Sequence, residues 1–170
     1  MEPLKISGED LKIDDVVAVA NGRSVTLSPS AYPKIERSRA AVEQLVNEGR
    51  IAYGITTGFG RFKDQIISQD QVKQLQLNLV RSHAVGVGPL LDEQAVRAIM
   101  LVRLNTLAMG YSGVRPAIIQ LLIDMLNSGV HPIIPAQGSL GASGDLAPLA
   151  HLALVLIGEG EAAWQGDSVN

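Results

Sequence analysis

Residues 146–157 read LAPLAHLALVLI, twelve positions with a single titratable side chain, His151. A surface helix keeps a polar face towards water, so a segment that is apolar on every face predicts a helix buried all round. Twelve residues are too few to cross a bilayer, which takes about 20 apolar residues. The segment therefore reads as an interior helix of a large helical protein. Directly upstream, GSLGASGD (Gly138–Asp145) is a Gly/Ser loop that runs into this helix, with Asp145 at the position of its N-cap.

Working back along the chain, apolar residues three and four apart mark further helices. HPIIP (His131–Pro135) is a proline-bounded extended piece. Before it, Ser112 caps a helix with Pro116 in its first turn. Ile118, Ile119, Leu122, Met125 and Leu126 face inwards, and Asn127 to Gly129 end it. From Asp92 to Met109 another helix buries Val96, Ile99, Met100, Leu104 and Leu107, points Arg97 and Arg103 elsewhere, and stops at Gly110. Ser68 with Gln71 resembles a capping box, opening a helix whose stripe of Val72, Leu75, Leu79 and Val80 runs to His83. The first long helix takes Ser28 as N-cap and Pro29 as its first residue, passes through Val42, Leu45 and Val46, and ends at Gly49. Strands are minor: Ser24 to Leu27, and Ala162 to Gln165 before a turn at Gly166, read as short hairpin pieces. The fold class is mainly α.

The 170 residues suit one folding unit. A hydrophobic content of 46%, only 18% charged residues and a mean hydropathy of +0.20 exclude disorder, and they leave apolar surface for more chain or for partner subunits. A net charge of −3 offers no field for a phosphate backbone, which excludes nucleic acid as a partner. The absence of cysteine excludes disulfides, thiolate metal sites and a cysteine nucleophile. No pair of histidines has metal-ligand spacing, and neither a metal nor a membrane is expected. The N-terminal MEPLKISGEDLKIDD lacks the basic start and apolar run of a signal peptide, so the expected location is cytoplasmic.

Taken on its residues alone, GSLGASGDLAPLA is first a tight turn plus a cap. Yet a turn needs one or two glycines, whereas this loop has Gly138, Gly141 and Gly144 leading into a helix N-terminus, where amide dipoles favour negative charge. A phosphate loop is the rival reading, but the stretch has neither GxGxxG spacing nor a GK[ST] ending. On the same grounds Tyr53 is a packing aromatic and His83 a core histidine on its helix stripe.

Three ordered blocks change that balance. GSLGASGDLAPLA, together with YGITTGFG (Tyr53–Gly60) and SHAVGVG (Ser82–Gly88), closely resembles the histidine/phenylalanine ammonia-lyase family. The resemblance covers the whole chain and implies that residues 1–170 are the N-terminal domain of such an enzyme, ending before its central helical bundle. It implies that Ala142, Ser143 and Gly144 cyclise into methylidene-imidazolone (MIO): the Gly144 nitrogen attacks the Ala142 carbonyl carbon, ring closure releases one water and the Ser143 hydroxyl leaves as a second. Asp145 is then a proton handler or simply a cap. The resemblance further makes Tyr53 the base that takes the β-proton, on a glycine-rich lid, and makes Gly60 and His83 substrate-binding residues. In histidine-selective relatives a Ser-His pair stands where Ser82 and His83 stand, so the implied reaction is elimination of ammonia from L-histidine to urocanate, in a homotetramer. His131 and His151 read as structural. Two alternatives stay open: a phenylalanine or tyrosine ammonia-lyase or aminomutase, and a non-catalytic helical module that uses its apolar surface only for assembly.

Overall fold

The computed structural model describes residues 2–52, 55, 69–164 and 167–169. At its centre lies the helix expected from Asp92 onwards. In chain order the elements are β1 (Leu4–Ile6), α1 (Ile13–Ala20), β2 (Val25–Leu27), α2 (Tyr32–Asn47), α3 (Gln69–His83), β3 (Val87–Leu90), α4 (Glu93–Ala108), α5 (Pro116–Ser128), β4 (Val130–Pro132), β5 (Pro135–Gln137), α6 (Leu146–Leu156), β6 (Ala162–Trp164) and β7 (Asp167–Val169). The architecture is mainly α, with strands only three or four residues long.

Asp92 caps α4 by accepting the Ala95 N–H at 2.8 Å, and Met100, Leu101 and Leu104 are completely buried on it. Full burial of such side chains stabilises by roughly 1.5–3 kcal/mol each. Against α4 pack α1, α2 and α5, with Ile119, Leu122 and Leu126 of α5 completing the core. Gly110 (φ 76°) ends α4 where only a glycine fits, because a Cβ there would lie 2.6 Å from the Lys34 backbone of α2.

Several expectations are corrected. The first long helix begins at Tyr32, not Ser28: Ser28–Ala31 close a turn, with the Ala31 N–H on the Ser28 carbonyl, and Pro33 rather than Pro29 occupies the helix's first turn. Its end is the expected one: α2 stops at Asn47, just before Gly49, and Gly49 and Arg50 donate back to Val46 and Leu45. Arg115, not Ser112, precedes α5, with Pro116 as its first residue. Val25–Leu27 pairs in parallel with Leu4–Ile6 instead of forming a hairpin, while β6 pairs antiparallel with both β4 and β7. Val25 is also held by the Asn127 side chain, which accepts its N–H at 2.8 Å and donates to its carbonyl at 2.9 Å. α6 is only partly buried: Ala147, Ala150 and Leu152 are inside, most other positions are half-buried, and Leu146 is 60% exposed. Ser68, Gln165 and Gly166 lie outside the described residues.

The largest correction concerns Arg97, which is buried (4% exposed) rather than turned to solvent. Its Nε donates to the Val19 carbonyl at the end of α1 (2.8 Å), and Nη1 to the Leu126 carbonyl near the end of α5 (3.0 Å). Neither helix has a basic residue in its last turn, so one guanidinium serves the negative ends of both. Nη1 also lies 3.0 Å from His131 Nε2 on β4. Arginine only donates, so Nε2 accepts and the His131 proton sits on Nδ1. Burial holds the His131 pKa below the ordinary value, with Arg97 acting in the same direction and Glu93, 3.7 Å away, opposing it.

Replacing Arg97 with Met strands these carbonyls and is expected to cost about 2–4 kcal/mol, read from urea denaturation; a loss under about 1 kcal/mol contradicts the role assigned to it. The depressed His131 pKa fixes a sign as well. As pH falls below about 6.5 the unfolded chain takes up a proton that the folded histidine resists. Stability is therefore expected to be full above about pH 7 and to decline from about 6.5 towards the lower folded value. A rise in stability over that interval contradicts the neutral assignment.

Candidate active site

The Gly/Ser loop joins β5 to α6. Gly138, Gly141 and Gly144 all have positive φ (139°, 87° and 67°), as the three-glycine reading required. Between the last two, Ala142 and Ser143 are exposed. The Ser139 hydroxyl donates across the turn to the Gly144 carbonyl and fixes that peptide. A Cβ on Gly144 would sit 2.8 Å from Ser139 Oγ, so a larger residue would meet both strain and a clash. Asp145 occupies the N-cap position, and its carbonyl accepts the Leu149 N–H at 3.0 Å, but its side chain makes no capping bond. The carboxylate is left exposed beside the turn.

Two contacts hold the frame around this loop. β3 pairs antiparallel with β5, Val87 opposite Gln137 and Leu90 opposite Pro135, which brings the C-terminus of α3 to the loop. The Gly86 N–H then donates to His151 Nε2 at 3.0 Å, tying the α3–β3 connection to α6. Burial lowers the His151 pKa, which favours the neutral acceptor this bond needs. At the far end of α6, Arg81 grips Glu159 with two bonds of 2.7 and 2.5 Å, and each group moves the other further into its charged range.

His83 closes α3, half-buried. Its Nδ1 lies 2.8 Å from the Leu79 carbonyl and 3.1 Å from Ser82 Oγ, whose hydroxyl also points to the Leu79 carbonyl at 2.9 Å. A carbonyl only accepts, so Nδ1 carries the proton and Nε2 of the neutral ring is an acceptor. No hydrogen bond joins His83 to Ala142–Asp145. Tyr53 and Gly60 lie outside the described residues. Among those described, no group of three or more His, Cys, Asp or Glu is placed to hold a metal ion, and no helix is long and apolar enough to cross a membrane.

Residues 11–170 match the family of aromatic amino acid lyases. The chain belongs to that family. It is 58% identical over 166 residues to histidine ammonia-lyase of Chloroflexus aurantiacus, covering 95% of this chain and 32% of that one. Among solved structures it superimposes on tyrosine aminomutase from Streptomyces globisporus (TM-score 0.90, 41% identity, 99% of this chain and 32% of that one). Histidine ammonia-lyase from Trypanosoma cruzi gives a TM-score of 0.88 at 35% identity, with 99% and 32% covered. The chain thus spans about a third of the length of the curated relatives it matches.

Within this lyase fold, sequence reasoning missed Ser139. Its signal was its place five residues before Gly144, where a hydroxyl can close the turn. It also missed what His151 does, because a histidine in an apolar helix gives no sign of which backbone amide it will meet.

Proposed function

We propose that these residues form the electrophile-bearing part of an ammonia-lyase that converts L-histidine to urocanate and ammonia, acting in the longer chain its relatives have. The observation that carries this reading is the loop itself. Three left-handed glycines surround an exposed Ala142-Ser143, Gly144 has no side chain to hinder its nitrogen, and Ser139 fixes the Gly144–Asp145 peptide that follows. These residues fit MIO: small side chains clear the turn, and the Ala142 carbonyl oxygen and the Ser143 hydroxyl leave as the two waters. Once formed, the group supplies an electron-poor methylidene that draws electrons from the substrate amine and makes ammonia a better leaving group.

The remaining work falls to side chains. His83 Nε2 accepts the imidazole N–H of the substrate, and the Leu79 carbonyl keeps the ring in the tautomer that does so. Gly60 is assigned to substrate binding. Tyr53 is the base for the β-proton, since the elimination balances only if that proton and the amine both leave. Asp145, with no capping bond to occupy it, is free to handle protons while the ring forms. The working enzyme is a cytoplasmic homotetramer; the apolar side chains left bare around the loop, Leu140 86% and Val85 62% exposed, support its subunit contacts.

A chain carrying these residues at the full length of its relatives is expected to form urocanate from L-histidine in preference to cinnamate from phenylalanine or coumarate from tyrosine. Ser143→Ala is expected to abolish turnover. His83→Leu is expected to lower kcat/KM for histidine about 10- to 100-fold, the worth of one strong hydrogen bond. Preferential formation of cinnamate or coumarate contradicts the substrate assignment in favour of the phenylalanine or tyrosine reading.

A further inference from the structure

His83 ends α3, and Ala142-Ser143-Gly144 lead into α6. A substrate held between them needs the two at a fixed spacing, since a misplacement of about 1 Å can cost about 100-fold in rate. Only residues 84–86 separate His83 from β3, and their amides can be followed one by one. The Ala84 N–H donates to the Val80 carbonyl at 3.1 Å and finishes the helix, and the Val85 N–H donates to the His83 carbonyl at 2.9 Å. The Gly86 N–H then turns away from α3 and donates to His151 Nε2 at 3.0 Å.

That contact is tightly built. A Cβ on Gly86 would lie 2.9 Å from His151 Nε2 and 3.1 Å from Pro135 Cβ, and one on Gly138 would lie 3.1 Å from the Gly86 Cα. Gly86 is thus wedged between α6, β5 and the first residue of the reactive loop. It lacks the positive φ of the loop glycines, so close approach and not backbone shape is what asks for glycine here. On the other side of the bond, His151 stands six residues beyond Asp145, about 9 Å of helix, so a stiff rod joins the acceptor to the loop.

We propose that His151 is a positioning residue for substrate recognition: by holding the Gly86 amide it fixes the turn after α3 and so sets His83 Nε2 against the electrophile at the start of α6. The inference rests on the ammonia-lyase reading above, in which His83 meets the substrate. The β3–β5 pairing takes hold at Val87, whereas the His151 bond acts one residue earlier, on the turn itself. Without that acceptor the Gly86 N–H is stranded and the turn relaxes, which moves His83 and leaves the loop's own chemistry in place.

The test uses the chain at the full length of its relatives and measures urocanate formation from L-histidine. His151→Leu is expected to raise KM about 5- to 10-fold with a smaller change in kcat. His151→Gln, whose Oε1 can accept from the same amide, is expected to restore KM to within about twofold of the parent. Gly86→Ala drives the imidazole away while the histidine stays in the sequence, and is expected to reproduce the leucine variant. In a His83→Leu background, His151→Leu is expected to change kcat/KM by less than about twofold, because the side chain it positions is already gone. The peptide Gly138–Ala150 keeps its deficit of two waters in every variant, which separates a displaced His83 from an unmade electrophile. A parent that forms no urocanate removes the ammonia-lyase reading and the proposal with it. With an active parent, the proposal alone is overturned if His151→Leu and Gly86→Ala leave KM unchanged, if glutamine fails as leucine does, if the leucine loss is as large without His83, or if the two-water deficit disappears.

Discussion

One buried guanidinium ties the scaffold together. Arg97 leaves the middle helix, α4, and satisfies carbonyls at the ends of α1 and α5 while donating to His131 of β4. Four elements, α1 among them from far upstream, thereby share one group, in an interior where an unmade hydrogen bond is expensive. The arrangement also forces His131 to stay neutral. β4 is the strand that precedes β5 and the loop, so the contact anchoring β4 lies just upstream of the Gly138–Asp145 turn.

From that anchor the loop is framed and not packed over. β3 lies along β5, His151 takes the Gly86 amide, and Arg81 clasps Glu159, so the middle of α6 and the turn beyond its C-terminus are fixed against α3 and its continuation. Between these fixed points Ala142 and Ser143 stand exposed on glycine hinges, with Ser139 setting one peptide. A rigid frame around a short, glycine-bent turn brings backbone atoms close without a bulky side chain among them. Proximity of that sort is what a slow intramolecular condensation requires.

Much of this was legible beforehand. α4 and α5 declare themselves by apolar spacing and by Asp92, Gly110, Pro116 and Gly129, and the loop's glycines announced left-handed backbone that the structure has. Helix starts were harder. Ser28-Pro29 has the residue types of a cap, but a serine turn competed and moved the start to Tyr32; α1, rich in β-branched valine, gave a weak helical signal. Arg97 was misplaced for a different reason. Helical spacing says which residues share a face, but only the tertiary arrangement says that two helix ends will converge on a cation. The burial of α6 was over-read for this chain, since most of its residues are only half-buried and Leu146 is exposed.

Apolar composition and bare side chains around the loop describe a surface shaped for covering, and the proposed chemistry is concentrated in one tripeptide. The central claim is that the scaffold turns Ala142, Ser143 and Gly144 into an electrophile. It is tested most directly by mass spectrometry of the chain, intact and after mapping of the peptide Gly138–Ala150. The account predicts a deficit of two waters confined to that peptide, and a peptide at its full unmodified mass would contradict it.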